Sequence, residues 1–538
     1  MNKVKNQTTT LSLPQALAMY KKEPGNHELA RALGVAAFHA GEYEQAVEYF
    51  EAVTKAGMSD FRSRKHLAVS LVNTSRLPEA HESLLSLHGE NPNDKDVLNA
   101  LVNVSALMKD SDAAYRYAME YIQKFPTDYL SYLSLGNILF ENKMFKEAII
   151  AYETANDLGA NVAAVDQNIA SCLFFLGQDQ EALEKYRVAR VKHPNSDHVK
   201  FLMAYPLLES DQFEEGWKMY EYGFLPGKQG RAPLRIFENA PRWKGAKLNP
   251  SQHLLVWGEQ GLGDQIMFGS CLPDLRADQT CSITLEIAPR LVGLYARSFP
   301  GITVRAPGGL IKDGKIYNDE RYDGHIPIGS LPSIYRPDYS SFKKSKAQYL
   351  RADPKLVQGY SNRFLKGSDL LKVGLCWRSG LVTSLRAMHY STLSMMRSLL
   401  DVSGIVFVNL QYGDCADEIM KVQNQTEIAI NNWPDVDLKN DQESVAAIIS
   451  NLDLVISAPT AVAQLAGALG VETWVFSAGK TWTDFGRKSS RDAWHPHTKK
   501  YRQNDGEDLG KLFERMALDL QAKQKDRAVS GAASQSVP

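Results

Sequence analysis

A regular internal repeat, with a period of about 34 residues, dominates the first part of the chain. A small residue recurs once per period: Ala46, Ala80, Ala114, Ala148, Ala182 and Gly216. A second series lies four residues later and is mostly large: Phe50, Leu84, Ala118, Tyr152, Tyr186 and Tyr220. Residues four apart lie on one face of a helix, so each pair marks a face that meets a neighbouring helix closely. The period predicts a repeated helical unit.

Other positions follow the same period. Gly34 and Gly136 lie three periods apart, and prolines separate the units at Pro92, Pro126 and Pro194. This arrangement resembles the tetratricopeptide repeat, a helical hairpin that buries its apolar face only by stacking on the next hairpin. The resemblance covers residues 27–224 as about six hairpins, preceded by a predicted helix at Leu13–Lys22. It implies an all-α solenoid over residues 13–224 whose groove binds a protein.

Composition excludes several classes of function. The net charge of −1 over 538 residues argues against a nucleic-acid binder, which needs a basic surface to contact phosphates. No apolar run is long enough for a membrane-spanning helix, and the N-terminus lacks an apolar signal-peptide core. The five cysteines are scattered without a CxxC pair, which indicates neither a disulfide framework nor a zinc site. These features predict a cytoplasmic protein with reduced thiols.

The character of the chain changes after Phe224. Residues 225–251 contain four prolines and no helical period, as is typical of a linker. Short apolar runs then alternate with helical patterns, which predicts parallel sheets in two α/β domains, residues 252–345 and 370–525. The predicted strands are His253–Trp257, Ser282–Ile287, Ile302–Val304, His325–Ile328, Lys372–Trp377, Ile405–Leu410, Glu427–Ile430, Leu454–Ser457 and Thr473–Phe476. The predicted helices are Gln265–Leu275, Pro289–Ser298, Asp414–Val422, Gln442–Ser450, Thr460–Leu469 and Asp508–Lys523. The small, polar tail, residues 526–538, is predicted to be disordered.

Several stretches of this second part resemble a known family. They read "LLVWGEQGLGDQIMF", "LDLVISAPTAVAQLAGALGVETWVF" and "DAWHPHTKKYRQ", with "PRWKG" just upstream. Together they resemble heptosyltransferase-like (family 9 type) glycosyltransferases, and the whole chain resembles fusions of such a domain to tetratricopeptide repeats. The layout is similar to that of O-linked N-acetylglucosamine transferases and repeat-containing flagellin glycosyltransferases. The resemblance implies a GT-B fold of two Rossmann-like domains, with the acceptor on the first and the nucleotide-sugar on the second.

The glycine loop "GEQGLGD" carries the first candidate site. In the family pattern the aspartate after this loop is the proposed catalytic base, and Asp264 occupies that position. An inverting transfer needs a carboxylate or imidazole to take the proton of the acceptor hydroxyl. Gly261 and Gly263 would let backbone and substrate approach closely, and Glu259 is a second, weaker catalytic candidate. In the alternative, the glycines form a tight turn and Asp264 only caps a helix that starts at Gln265.

The segment "SAPTAVAQLAGALG" carries the second candidate site. A helix begins there with unpaired amides, and such a terminus binds the diphosphate of a nucleotide. The predicted substrate-binding residues are Pro459, Thr460, Ala461 and Gln464. The family usually has an aspartate where this chain has Pro459 and a histidine where it has Gln464, which puts the identity of the donor, and activity itself, in doubt. The alternative is an ordinary turn between a strand and a helix.

Further candidates follow the strands of the second domain. Arg378 and Arg386 are predicted to neutralise the leaving diphosphate, His389 lies in the same loop, and Gln411 is predicted to contact the nucleotide. The pair His495 and His497 has no third ligand to support a metal site. We therefore expect a metal-independent mechanism with no cofactor beyond the nucleotide-sugar substrate.

Three functions follow from these predictions. The first is an inverting glycosyltransferase that moves a sugar from a nucleotide donor to a protein hydroxyl, for which flagellin is the preferred acceptor, with the repeats holding the acceptor protein. The second is a GT-B scaffold without activity that binds a protein partner. The third is a glycosyltransferase for a glycan or lipopolysaccharide acceptor. The sequence leaves open the donor nucleotide (UDP, ADP, GDP or CMP), the sugar and the oligomeric state.

Overall fold

The computed structural model describes most of the chain, namely residues 3–6, 9–224, 235–312, 315–318, 320–344, 346–364, 370–380, 384–426, 428–479, 481–485, 489–504 and 506–535. Most of the predicted linker's first half therefore lies outside the described residues, as does Glu427, the first residue of a predicted strand. The chain divides into two compact units, Met1–Leu176 and Gly177–Pro538, called here unit 1 and unit 2.

Unit 1 is a series of helical hairpins, as the internal period predicts. It opens with two short antiparallel strands, β1 (Lys3–Asn6) and β2 (Thr9–Ser12). The helices follow as α1 (Leu13–Lys22), α2 (His27–Ala40), α3 (Tyr43–Lys55), α4 (Phe61–Asn73), α5 (Leu77–Glu90), α6 (Lys95–Leu107), α7 (Ser111–Lys124), α8 (Tyr129–Glu141), α9 (Phe145–Asp157) and α10 (Ala163–Phe175). The predicted first helix has the observed bounds.

The same period governs the starts of the hairpins. The N-cap residues of α2, α4, α6 and α8 each lie one period apart, at Asn26, Asp60, Asp94 and Asp128. Each accepts a hydrogen bond from the first turn of its helix, which satisfies an amide that has no partner within the helix. Three of these carboxylates also pair with a cation from the preceding repeat: Arg31–Asp60 at 3.2 Å, Lys65–Asp94 at 3.1 Å and Lys95–Asp128 at 3.0 Å.

The turns inside the hairpins repeat as well. The backbone enters the left-handed region at Gly41, Ser75, Lys109 and Lys143, again one period apart, with φ of 76°, 62°, 63° and 64°. Gly177 and Asp211 continue the series in unit 2, at 81° and 61°. Glycine adopts this conformation without strain, whereas a side chain makes it costly. The repeat therefore imposes the turn even where the residue disfavours it.

Small residues in the first helix of a hairpin make room for large ones in the second. A Cβ added to Gly34 would lie 2.9 Å from the Phe50 ring, and one added to Gly136 would lie 2.5 Å from the Tyr152 ring. In the third repeat the sizes are reversed, because Val102 and Ala118 occupy those positions and both are buried. The repeat thus conserves the volume of the pair rather than the identity of either residue.

Unit 2 begins with helices that the sequence assigned to the solenoid. They are α11 (Asp179–Lys192), α12 (Asp197–Leu202), α13 (Ala204–Glu209) and α14 (Phe213–Tyr220). The two compact units therefore divide within the predicted solenoid, at Leu176, and the predicted domain boundary at residue 224 stays a prediction. Aromatic packing joins α14 to the rest of unit 2: the Phe213 ring lies 5.2 Å from the Phe485 ring, and the Trp217 indole N–H donates to the Arg336 carbonyl at 2.8 Å.

The first α/β domain of unit 2 has a parallel sheet in the order β6-β5-β4-β9. A small three-stranded sheet, β3-β8-β7, includes a strand from the predicted linker. The elements are β3 (Arg235–Phe237), β4 (His253–Trp257), α15 (Leu262–Gly269), α16 (Leu272–Asp278), β5 (Ser282–Glu286), α17 (Val292–Ser298), β6 (Thr303–Arg305), β7 (Leu310–Lys312), β8 (Lys315–Asn318), β9 (Gly324–Pro327), α18 (Pro332–Tyr335) and α19 (Pro354–Ser361).

The second α/β domain has six parallel strands in the order β12-β11-β10-β13-β14-β15. Numbered from the first strand of the domain this is 3-2-1-4-5-6, the order of the doubly wound Rossmann fold. The elements are β10 (Leu371–Cys376), α20 (Ser384–Ala387), α21 (Arg397–Leu400), β11 (Ile405–Asn409), α22 (Ala416–Gln425), β12 (Ile430–Asn431), α23 (Gln442–Ile449), β13 (Leu454–Ser457), α24 (Ala461–Ala468), β14 (Thr473–Ser477), β15 (Thr498–Arg502) and α25 (Leu509–Gln535).

Three differences from the predicted elements have physical reasons. The single predicted helix Gln265–Leu275 is two helices, because Pro273 fits the first turn of α16 but not the interior of a longer helix. The edge strand β15 escaped prediction because its sequence, TKKYR, lacks an apolar run. Helix α25 continues to Gln535 through most of the tail predicted to be disordered, where arginine, alanine and glutamine favour helix.

Candidate functional site

The two sheets of unit 2 share one topological feature. In both, the strand order reverses between the first and fourth strands, β4 and β9 in one and β10 and β13 in the other. Ligands of open α/β sheets bind beyond the carboxyl ends of the strands at such a reversal. The glycine loop follows β4, and the segment with Pro459 and Thr460 follows β13. The sequence therefore placed its main candidates at the two reversal points.

The two candidate segments meet. Helix α15, which follows the glycine loop, packs against helix α24. The closest approach is at their first turns, where a Cβ added to Gly263 would lie 3.3 Å from the Ala461 Cα. A Cβ at position 263 therefore requires a shift of a few tenths of an ångström, and a larger side chain requires more.

The glycines of this loop provide space, not an unusual turn. Gly258, Gly261 and Gly263 are all described, and none has a positive φ. A Cβ on Gly258 would lie 2.7 Å from the Gln265 Oε1 atom, whereas one on Gly261 would meet only the Asp264 carboxylate, at 3.4 Å. The backbone conformation at these three positions therefore does not require glycine, and Gly261 borders open space.

Asp264 lies in the first turn of α15. The helix begins at Leu262 with Gly261 as its N-cap, so the alternative in which Asp264 caps a helix starting at Gln265 is wrong. Its carboxylate is half-buried and folds back toward Gly261. A negative charge in the first turn interacts favourably with the helix dipole. The position and exposure of this carboxylate are compatible with a catalytic base at the end of β4.

Glu259 holds the reversal point of the first sheet together. It is 8% exposed, and its Oε1 atom accepts the Gly329 N–H at 3.0 Å, while Oε2 accepts the Gln260 N–H at 3.1 Å. Gly329 follows β9, so this side chain links the ends of β4 and β9. Buried and engaged with backbone amides, Glu259 supports the loop structurally.

Thr460 is the N-cap of α24, but its hydroxyl points into the protein. The hydroxyl lies 3.0 Å from the Ser457 hydroxyl and 3.6 Å from the Cys376 sulfur, and it makes no capping hydrogen bond. Pro459 precedes it, half-buried, and Ala461 begins the helix. The amides of the first turn, rather than the Thr460 side chain, are thus the available anion donors of this segment.

Gln464 lies one turn further along α24. Its Oε1 atom is buried and accepts no hydrogen bond from the described residues. An unsatisfied buried carbonyl costs free energy unless a ligand or water donates to it. This amide stands where the glycosyltransferases that the sequence resembles have a histidine, so the position has an acceptor but no ionisable group.

Arg378 follows β10, as predicted, but its guanidinium is already paired. Nη1 contacts the Glu418 carboxylate, and Nη2 donates to the Asp414 carbonyl at 2.9 Å. Glu418 also accepts from the Trp377 indole N–H at 3.0 Å. Glu418 therefore already offsets the charge of this cation. The sequence showed no sign of Glu418 because it is brought there by the next helix, α22.

Gln411 supports the same strand end. It is 1% exposed, and its Oε1 atom accepts the backbone N–H groups of Trp377 at 3.0 Å and Arg378 at 2.9 Å. Its Nε2 donates to the Tyr412 carbonyl at 2.8 Å. The side chain thus keeps the Arg378 backbone in place, and its predicted contact with a nucleotide stays a prediction.

Arg386 and His389 lie on one turn after β10, where the His389 N–H donates to the Arg386 carbonyl at 3.0 Å. Arg386 is exposed and His389 is half-buried. Residues 381–383, which connect this turn to the strand, lie outside the described residues.

His495 is buried in the second domain, at 3% exposure. Its Nε2 atom lies 3.2 Å from the Tyr349 hydroxyl, which also donates to the Ile266 carbonyl at 2.7 Å. Burial lowers the pKa of His495 to about 4. Within the described ranges, no group of three or more His, Cys, Asp or Glu side chains is arranged to hold a metal ion. No helix in the described part of the chain is long and apolar enough to cross a membrane.

Comparison with known proteins supports the repeats and places the chain among relatives. Tetratricopeptide-repeat family models match residues 12–61 and 167–196. Protein FlbA of Caulobacter vibrioides is 30% identical over 487 residues, which cover 88% of this chain and 75% of FlbA. The chain belongs to the FlbA family.

Two further matches cover a smaller part of the chain. Intraflagellar transport protein 70A of Danio rerio is 24% identical over 31% of this FlbA-family chain and 26% of its own length. The crystal structure of a tetratricopeptide-repeat protein of Thermus thermophilus covers 34% of the chain and 99% of its own, with 19% identity and a TM-score of 0.31. Of these three matches, the one to FlbA is long enough to include both units.

Proposed function

We propose that the chain is an inverting glycosyltransferase of GT-B type. It transfers a sugar from a nucleotide donor to a hydroxyl of an acceptor protein that the tetratricopeptide repeats recruit. Flagellin is the acceptor class that the resemblance to repeat-containing glycosyltransferases favours. The five cysteines are all buried and free, in keeping with a reducing, cytoplasmic location.

One observation carries the proposal: two helix N-termini meet at the reversal points of two parallel sheets. Neither helix has a side-chain cap at its start: the N-cap of α15 is Gly261, and the Thr460 side chain makes no capping hydrogen bond to α24. Each terminus carries partial positive charge from its amides. Two such termini side by side favour an anion at their ends, and a diphosphate has the charge and the acceptor oxygens to satisfy both.

The residues divide the reaction between them. The amides of α24 bind the diphosphate, and the Asp264 carboxylate takes the proton of the acceptor hydroxyl as its oxygen attacks the anomeric carbon. The bond from that carbon to the phosphate oxygen breaks, and the nucleoside diphosphate leaves with both electrons. The developing negative charge on the phosphate is stabilised by the helix terminus.

A second candidate function has its own support. The ion pair between Arg378 and Glu418 leaves the predicted phosphate-binding cation neutralised. Pro459 and Gln464 replace two residues usual in the family. These features favour a scaffold that binds a protein partner through the repeats without catalysis, and the transfer assay below separates the two functions.

The test is sugar transfer by Asp264→Asn. Asparagine preserves the size of the side chain but cannot accept the proton, so we expect turnover to fall by roughly 10²–10⁴-fold with nucleotide binding retained. Asp417→Asn is the matched control, since Asp417 is an exposed carboxylate in the first turn of α22. Near-normal turnover by Asp264→Asn would remove the catalytic assignment, and absence of transfer by the unsubstituted chain with every donor would favour the scaffold.

A further inference from the structure

The last repeat hairpin reaches the glycine loop through one side chain. Tyr220, the last residue of α14, is fully buried, and its hydroxyl accepts a hydrogen bond from the Gln260 side-chain amide at 3.0 Å. Gln260 lies in the middle of the loop, between Glu259 and Gly261. No sequence pattern connects a repeat tyrosine to this loop.

The repeat itself shows what this tyrosine normally does. Tyr152 occupies the same position two repeats earlier, and its hydroxyl donates to Asn137 at 2.9 Å and accepts from Asn168 at 3.2 Å. Asn168 belongs to α10, the first helix of the following hairpin. The tyrosine thus holds the next element of the array. At Tyr220 the repeats end, and the glycine loop provides the partner amide instead.

The surroundings of Tyr220 favour a fixed contact. Aromatic rings enclose it, with Trp217 at 5.6 Å, Phe268 of α15 at 6.2 Å and Trp482 at 6.0 Å between ring centroids. Burial, and next the nearby carboxylates of Glu259 and Asp264, raise the pKa of the hydroxyl well above its ordinary value. The hydroxyl therefore stays protonated beside both candidate carboxylates.

We propose that Tyr220 is a positioning residue for the glycine loop: by holding Gln260 it fixes the backbone that presents Asp264 to the acceptor hydroxyl. The last repeat hairpin is then part of the catalytic domain and not only a segment of the acceptor-binding array. This inference rests on the proposed transferase for its kinetic consequence, but its structural consequence is independent of any activity.

The experiment uses the full chain with Tyr220→Phe, Gln260→Ala and the double variant. Hydrogen–deuterium exchange of the amides at 258–266 should be roughly 5-fold faster in each single variant, the effect of losing one hydrogen bond. The turnover number should fall roughly 10-fold with an unchanged KM for the nucleotide-sugar, because the loop is misplaced without losing donor contacts. The double variant should be no worse than either single variant, since one bond links the two residues.

Tyr152→Phe is the matched control, because it removes the hydroxyl from the equivalent repeat position in unit 1, remote in sequence from the loop. We expect it to leave exchange at 258–266 and the turnover number unchanged. Unchanged hydrogen exchange in Tyr220→Phe would overturn the inference. So would a double variant whose loss of turnover equals the product of the losses in the two single variants. If the unsubstituted chain transfers no sugar, the proposed function fails while the exchange experiment still decides the role of Tyr220.

Discussion

One buried and one half-buried histidine make unit 2 sensitive to mild acid. Burial lowers the pKa of His495 to about 4, with Asp492 opposing and Lys500 adding to the effect. Burial also lowers the pKa of His325 to about 4, helped by Arg242 and Arg235. Both imidazoles are therefore neutral in the folded protein at pH values where they are protonated in the unfolded chain.

Stability should consequently decline as the pH falls from about 6.5 to about 4. The unfolded chain binds more protons in this range, so the free energy of unfolding rises with pH and is highest above 6.5. A pKa that differs by one between the folded and unfolded states corresponds to about 1.4 kcal/mol, so the decline should amount to a few kcal/mol. Urea unfolding followed by tryptophan fluorescence measures it. In His495→Gln the free energy of unfolding should depend less steeply on pH, by about one bound proton. An unaltered slope would contradict the lowered pKa of His495.

The helices of unit 1 show how one repeat tolerates different residues. Gly136 and Tyr152 in the fourth repeat correspond to Val102 and Ala118 in the third, one period earlier. The large side chain is on the second helix in one repeat and on the first helix in the other. The packing of a hairpin therefore depends on the combined size of the two residues.

Exchanging the pair tests this directly. Gly136→Val alone should be destabilising by about 1–3 kcal/mol or more, because the added atoms collide with the Tyr152 ring. Tyr152→Ala alone should cost about 3–5 kcal/mol through the cavity it leaves. In the double variant valine fills the cavity, so we expect less destabilisation than the sum by at least about 1 kcal/mol. Urea unfolding of residues 1–176, followed by circular dichroism, provides the comparison, and additive effects would contradict the paired packing.

Sequence patterns predicted elements well where the signal is local. The period located the hairpins, and alternation located strands such as His253–Trp257 and Leu454–Ser457 with their observed bounds. The side-chain partners were not predictable, because they come from distant parts of the chain. Glu418 reaches Arg378 across 40 residues, and Gly329 reaches Glu259 across 70. The sequence could thus place the candidate residues at the strand ends, but it could not predict which groups their side chains would contact.

At the scale of the whole molecule, the division of the chain into compact units differs from its repeat pattern. The boundary between the compact units falls at Leu176, inside the fifth hairpin. Helix α14 then contributes buried aromatic side chains to unit 2, with Phe213 at 3%, Trp217 at 2% and Tyr220 at 0% exposure. The last hairpin is thus a structural part of the α/β region.

Two fragments distinguish these boundaries. Residues 177–535 should fold cooperatively, because they retain α14 and its contacts with Arg336, Phe485 and Trp494. Residues 252–535 should unfold at lower temperature or aggregate, since removal of α14 exposes that aromatic surface. Differential scanning calorimetry measures both. Equal melting temperatures would show that the repeats end where their sequence period ends.

The central claim is that unit 2 binds the phosphates of a nucleotide at the adjacent N-termini of α15 and α24. Isothermal titration of the full chain with UDP, ADP, GDP and CMP tests it most directly, with Gly263→Val as the variant that forces the two helices apart. We predict saturable binding of one of these nucleotides and its loss in Gly263→Val, while the exposed-site variant Asp417→Asn binds normally. No binding of any nucleotide, or undiminished binding by Gly263→Val, would contradict the account.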